Sequence, residues 1–179
     1  MINAELILLL EEYENINAIN HLISYFYRLK KPKRNHLPIC AYGTFRFPPT
    51  YESLTEDFQM VRRMQKLRIP RTLWHFVVSF DLPSGGKDTF YFCHQLADRI
   101  AKLFSTAYPV CYVYHEDTGH PHVHFAVLTA SYRPGHPPLE EEILSGYISQ
   151  MQALAYKDFH TTIMVVEKES RAKIVQRGS

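Results

Sequence analysis

Four histidines fall within ten residues, in the segment His115-Glu116-Asp117-Thr118-Gly119-His120-Pro121-His122-Val123-His124. Imidazole is a common metal ligand and the side chain that titrates near neutral pH. The surrounding pattern predicts two short strands, residues 110–114 and 123–128, with a break at 117–119. Side chains on a strand alternate faces, so His122 and His124 share one while Val123 points into the core. His115 ends the preceding strand, and a short turn returns it beside that pair. Three neutral imidazoles from two adjacent strands form an open, facial site whose remaining positions suit water or a phosphate oxygen. A divalent ion held there can polarise a scissile phosphate and stabilise the charge that builds on it. A single histidine is more often a surface or core residue than a ligand, but a triplet with a shared face is not. His120 lies in the turn and is not expected to be a ligand.

The elements that must position these residues follow from periodicity. Leu73–Phe80 (LWHFVVSF) is a dense β-branched and aromatic run that ends at a turn signal, residues 83–86 (PSGG). Residues 88–104 read as an amphipathic helix with Phe92, Leu96, Ile100 and Phe104 on one face. After residues 110–114 and 123–128 come a loop at 134–138, a helix at 139–157 and a strand at 161–167. The order beyond residue 72 is therefore β-α-β-β-α-β. It predicts an α/β two-layer sandwich, a central antiparallel or mixed sheet with helices packed on it.

Upstream, residues 3–29 carry Leu6, Leu9, Leu10, Tyr13, Ile16, Ile19, Leu22, Ile23 and Phe26 at helical spacing, which predicts one or two helices. Another helix is expected at 52–68, and residues 37–50 are not placed. The absence of an internal repeat or linker suggests a single domain over 1–179, with a helical N-terminal segment at about 3–68 and the α/β core at about 72–168.

Composition agrees with a folded chain. The 179 residues are 46% hydrophobic and 13% aromatic, with a net charge of only +2. Affinity for a polyanion would thus rest on local clusters of charge. Cys40, Cys93 and Cys111 are far apart, which argues against a thiolate zinc site and a disulfide framework. No apolar run approaches the roughly 20 residues that span a bilayer. The apolar stretch before Glu11 lacks the features of a signal peptide, so no membrane is expected and the cytoplasm is the default location.

The histidine segment resembles the three-histidine motif of relaxases, the HUH endonucleases that nick plasmids and integrative conjugative elements for transfer. That motif is a histidine, any residue, an aspartate and often a threonine, then three residues and a His-hydrophobic-His. His115, Asp117, Thr118, His122, Val123 and His124 match it position by position. The strand His75–Phe80 (HFVVSF) is similar to the family's central His-apolar-apolar-apolar-Ser-Phe strand. Residues 18–28 (AINHLISYFYR) are similar to the N-terminal helix that carries the nucleophilic tyrosine.

The resemblance implies a metal-dependent, site- and strand-specific nickase and strand transferase, with manganese or magnesium the expected divalent ion. It places the nucleophile at Tyr25, with Tyr27 the second candidate. A phenol has a pKa of about 10 and needs activation near neutral pH. Attack on a phosphodiester would leave a 5′-phosphotyrosyl link and a free 3′-hydroxyl, which the reverse attack rejoins. Asp117 is expected to orient a ligand histidine through its second ring nitrogen, with Glu116 a weaker candidate. Ser79 and His75 are candidates to face DNA or the site, although core packing is the plainer role for His75.

The implied partner is single-stranded DNA at a transfer origin. Lys30, Lys31, Lys33 and Arg34 follow the proposed nucleophile and would hold its phosphates. Arg62, Arg63, Lys66 and Arg68 add charge on the helix at 52–68, and Tyr42, Phe45 and Phe47 could stack on bases. Relaxases usually continue beyond the nuclease domain, whereas this sequence stops at Ser179. It therefore reads as a minimal or truncated form, or as one working with an accessory mobilization protein.

Two alternatives stand beside this reading. Rolling-circle replication initiators and transposases of the HUH class carry a tyrosine after the histidines, for which Tyr147 and Tyr156-Lys157 are candidates. A non-catalytic metal- or DNA-binding module is the third.

Overall fold

The computed structural model describes residues 1–9, 13, 17–27, 40–42, 49–65, 71–116 and 119–168. Among the described residues, the centre is a six-stranded mixed sheet with four helices packed on it, an α/β fold as the element order predicts. Strand β1 (Ile2–Leu9) is followed by helix α1 (Asn17–Phe26), β2 (Cys40–Tyr42), α2 (Tyr51–Gln65), β3 (Leu73–Phe80) and α3 (Lys87–Phe104). Then come β4 (Val110–His115), β5 (His122–Leu128), α4 (Glu141–Phe159) and β6 (Thr161–Lys168). The strands lie in the order β2-β4-β5-β3-β1-β6. Only the β1–β6 pairing is parallel among the described residues.

The expectation of helix from residue 3 onward is corrected at its start. Residues 2–9 form β1, inserted between β3 and β6 and hydrogen-bonded to both. Apolar runs of this length fit either period, and here pairing decides. Ala4 and Leu6 are buried on one face while Asn3 and Glu5 are exposed on the other, a period of two. The short strand β2 lies within residues 37–50, for which the sequence pattern predicts no element.

Alternation divides the sheet into two chemically different faces. On one, Leu6, Phe76, Val78, Tyr112, Phe125 and Val127 pack under α3 and α4. On the other, Leu73, Cys111, Val113, Ala126 and Leu128 pack under α1 and α2. The central strands β3, β4 and β5 are therefore buried on both sides and read as nearly continuous apolar runs. Helix α1 turns Ile19, Leu22, Ile23 and Phe26 inward at spacings of three and four residues. The entry to α2 is a reciprocal cap: Ser53 N–H donates to Thr50 Oγ1 at 3.1 Å and Thr50 N–H to Ser53 Oγ at 2.8 Å.

Candidate metal centre

The register of three strands assembles the site. His115 on β4 lies opposite His122 on β5, and His124 lies opposite Val113 and Val77. All three histidines thus project from the face that carries α1 and α2, as their spacing predicts. The β4–β5 connection allows this through Gly119, whose φ of 85° favours glycine. His115, His122 and His124 are 5%, 7% and 6% exposed, and each offers a nitrogen such that all three lie within 4.8 Å of one another. Ring centroids are 4.8 to 5.5 Å apart. Three clustered imidazoles are a suitable donor set for one divalent ion.

Neighbouring groups fix which nitrogens face inward. His122 Nδ1 lies 3.0 Å from the His120 carbonyl oxygen, to which it can only donate, leaving Nε2 to serve as ligand. His124 Nδ1 lies 3.0 Å from His75 Nε2, and His75 Nδ1 lies 2.9 Å from the Tyr13 hydroxyl. Burial, reinforced by nearby His115, pulls the His75 pKa down to about 3, so that ring is neutral. Of the two ways to share protons, only one leaves His124 Nε2 with a lone pair for a metal. In it His124 Nδ1–H donates to His75, and His75 Nδ1–H donates to Tyr13. His75 is buried, as core packing requires, but it also orients a candidate ligand. Sequence could not pair Tyr13 with His75, because the contact spans 62 residues.

The tyrosines separate by position. The Tyr25 ring centroid is 5.4 Å from that of His124, 6.0 Å from His115 and 6.4 Å from His75, and the side chain is 47% exposed. Phe26 beside it is buried against His75 and His124, seating α1 on the site. Tyr27 is turned elsewhere. Its hydroxyl donates to the Pro49 carbonyl at 2.7 Å, and burial raises its pKa to about 12. Tyr147 and Tyr156 lie on α4, across the sheet from the histidines; Tyr147 stacks on Phe104.

Ser79 lies on the histidine face, directly opposite His122. Glu116 ties down the turn after β4: its carboxylate accepts from Tyr114 and, at 3.1 Å, from Gly85 N–H. Tyr42 belongs to the opposite face and donates to Asp98. Arg62 reaches the Arg71 carbonyl, and Arg63 bonds Gln59. Asp117, Thr118, Lys30, Lys31, Lys33, Arg34, Phe45, Phe47, Lys66 and Arg68 lie outside the described residues. No helix among the described residues is long and apolar enough to cross a membrane.

Comparison with known proteins adds one finding. Neither a curated protein nor a solved structure matches the chain. Residues 27–136 match the family model "Relaxase: MobA/VirD2-like, nuclease domain". The match covers more than half of the chain, including β3, β4, β5 and the three clustered histidines, and it begins two residues beyond Tyr25. With the His122-Val123-His124 strand and its third histidine in place, the chain belongs to the MobA/VirD2-like relaxase nuclease family.

Proposed function

We propose that this protein nicks one strand of DNA at a transfer origin through Tyr25 and can reseal it by the reverse reaction. The observation that carries the reading is the exposed Tyr25 ring beside the three-histidine cluster. Tyr25 Oη attacks the scissile phosphorus. The Oη–P bond forms, the P–O3′ bond breaks, and the net proton movement is from the phenol to the departing 3′-oxygen. The product is a 5′-phosphotyrosyl link and a free 3′-hydroxyl, so the bond energy is retained for rejoining. His115, His122 and His124 would hold a divalent ion, with manganese or magnesium the choice in cells, which would supply positive charge to offset the charge that builds on the phosphate and the phenol.

The chain's own residues supply the rest. His75 and the His120 carbonyl hold the ligand rings in their metal-binding tautomers. Phe26 holds α1, and with it Tyr25, against the cluster. Asp117 is proposed to steady a ligand histidine, and Ser79 and the basic run Lys30, Lys31, Lys33 and Arg34 to hold phosphates of the single strand. A single domain, an accessory mobilization protein, a role in plasmid or mobile-element transfer, and action in the cytoplasm complete the proposal.

The test is an adduct assay with manganese and labelled single strands from the protein's genetic neighbourhood. A denaturant-resistant species that His122→Ala abolishes supports the reading. Strand binding without an adduct on any oligonucleotide contradicts it and favours a non-catalytic module.

A further inference from the structure

Strand β6 forms one edge of the sheet, and its register shows which backbone groups that edge presents. Ile2 pairs with Thr161 in parallel, and Ile2 N–H donates to the His160 carbonyl at 3.1 Å. A residue in a parallel ladder bonds the neighbours on either side of its partner. His160, Thr162, Met164 and Val166 therefore turn their backbone groups toward β1, and Thr161, Ile163, Val165 and Glu167 turn theirs outward. Among the described residues one side chain meets the outward row: Gln152 of α4 donates to the Ile163 carbonyl at 3.0 Å.

Natural edge strands are shortened, bulged, covered, or marked with proline or charge, because an open edge recruits other strands. β6 keeps eight consecutive pairs with β1, and its stretch from Thr161 to Val166 (TTIMVV) holds neither proline nor charge. Apolar side chains gather round it. Met164 is exposed on the face that carries the histidines, and Val165 on the face that carries α4, where Ile163 is buried. Thr162 contacts the exposed Met1 side chain at 3.3 Å. Tyr156, one turn beyond Gln152 on α4, is exposed as well. Four of the eight exposed large hydrophobic side chains among the described residues thus border this one edge. A contiguous apolar patch marks an interaction site, and a row of outward donors and acceptors suits another strand.

We infer that the β6 edge pairs antiparallel with the β6 edge of a second copy of this chain, about a two-fold axis through Val165. An axis normal to the sheet keeps each face continuous, so residues of the same face stand opposite each other. Centring it on Val165 keeps the axis clear of the Ile163 carbonyl that Gln152 covers. Val165 then exchanges two backbone hydrogen bonds with its own mate, and Met164 stands against Val166 on either side of the axis. Glu167 pairs with Ile163 and Lys168 with Thr162, so no charge of the strand is set opposite its like. One patch serves both partners, as a closed dimer requires. The pairing joins the two sheets into one and keeps both histidine clusters on the same side of it.

Sedimentation equilibrium of the full chain over a wide concentration range is the test. The wild type should approach twice the 21.0 kDa of one chain as concentration rises, because a small interface gives a reversible dimer. Val165→Lys sets like charges opposite each other on the axis, and it should stay monomeric while melting as the wild type does. Under oxidation Val165→Cys should form a reducible dimer, since mates in a bonded antiparallel pair have Cα atoms about 5.5 Å apart, within disulfide reach. Thr162→Cys should not, because its mate lies about 20 Å away along the strands. In the dimer the Val165 amide should also resist hydrogen exchange. A monomer at every concentration, a dimer that survives Val165→Lys, or equal cross-linking through Thr162→Cys overturns the inference. If the chain is monomeric, slow exchange at Val165 assigns the edge to another stretch of the same chain, and fast exchange shows that it stays bare.

Discussion

His75 lies between Tyr13 and His124, and its neutral ring can accept from His124 only while donating to Tyr13. Removing it should leave the sheet intact and loosen one candidate ligand. Partners that orient ligand histidines typically contribute 10–100-fold in metal affinity. His75→Ala should therefore weaken cobalt or manganese binding about 10–100-fold by calorimetry, and Tyr13→Phe by a smaller factor in the same direction. Unchanged affinity in both would mean that His124 is fixed by other contacts. Tyr27 provides the contrast. Tyr27→Phe removes the hydrogen bond to Pro49, so it should cost about 0.5–1.5 kcal/mol of stability and appear as a lowered melting temperature with strand cleavage retained. The histidine cluster itself was readable from sequence, since alternation on a strand forces His122 and His124 to one face. The His75 partnership was not, because it joins residues far apart in the chain through the pairing of β3 with β5.

The elements that carry these residues differ in how openly the sequence declared them. β3, from Leu73 to Phe80, stands out as a dense β-branched and aromatic run, and α3 because it holds one helical period over its full length. β1 does not: its run of leucine and isoleucine satisfies a helical stripe and a strand equally, and only pairing with β3 and β6, both far along the chain, decides the matter. The β4–β5 turn also matters for the site, because it sets His115 opposite His122. Gly119 in that turn has φ 85°, and no atom of the other described residues lies within 4 Å of where a Cβ would stand. Gly119→Ala thus meets no clash, only the backbone cost of that conformation, about 1–2 kcal/mol. A lowered melting temperature together with weaker metal binding is expected. A loss of stability without any change in metal affinity would show that the hairpin holds its register independently of this glycine.

At the scale of the whole molecule, the sheet divides the work. One face, under α3 and α4, is a continuous apolar core. The other carries α1 and α2 over one part and the histidines beside them. The tyrosines of α4 lie on the core side, which sets them apart from the histidine cluster. With a net charge of only +2, binding to single strands must draw on concentrated charge, and Lys30, Lys31, Lys33 and Arg34 are the densest run. Replacing all four by glutamine should reduce the salt dependence of binding by about 0.7 in the log–log slope for each phosphate that is no longer neutralised. An unaltered slope would place the phosphate-binding charges elsewhere.

The proposed nickase mechanism requires that Tyr25 become covalently joined to DNA. It is tested most directly by digesting the denaturant-resistant adduct and locating the nucleotide-bearing peptide by mass spectrometry. A 5′-phosphotyrosyl link on Tyr25 is expected, lost in Tyr25→Phe and still formed in Tyr27→Phe. A link on Tyr27, Tyr147 or Tyr156, or an adduct that survives Tyr25→Phe, would contradict it.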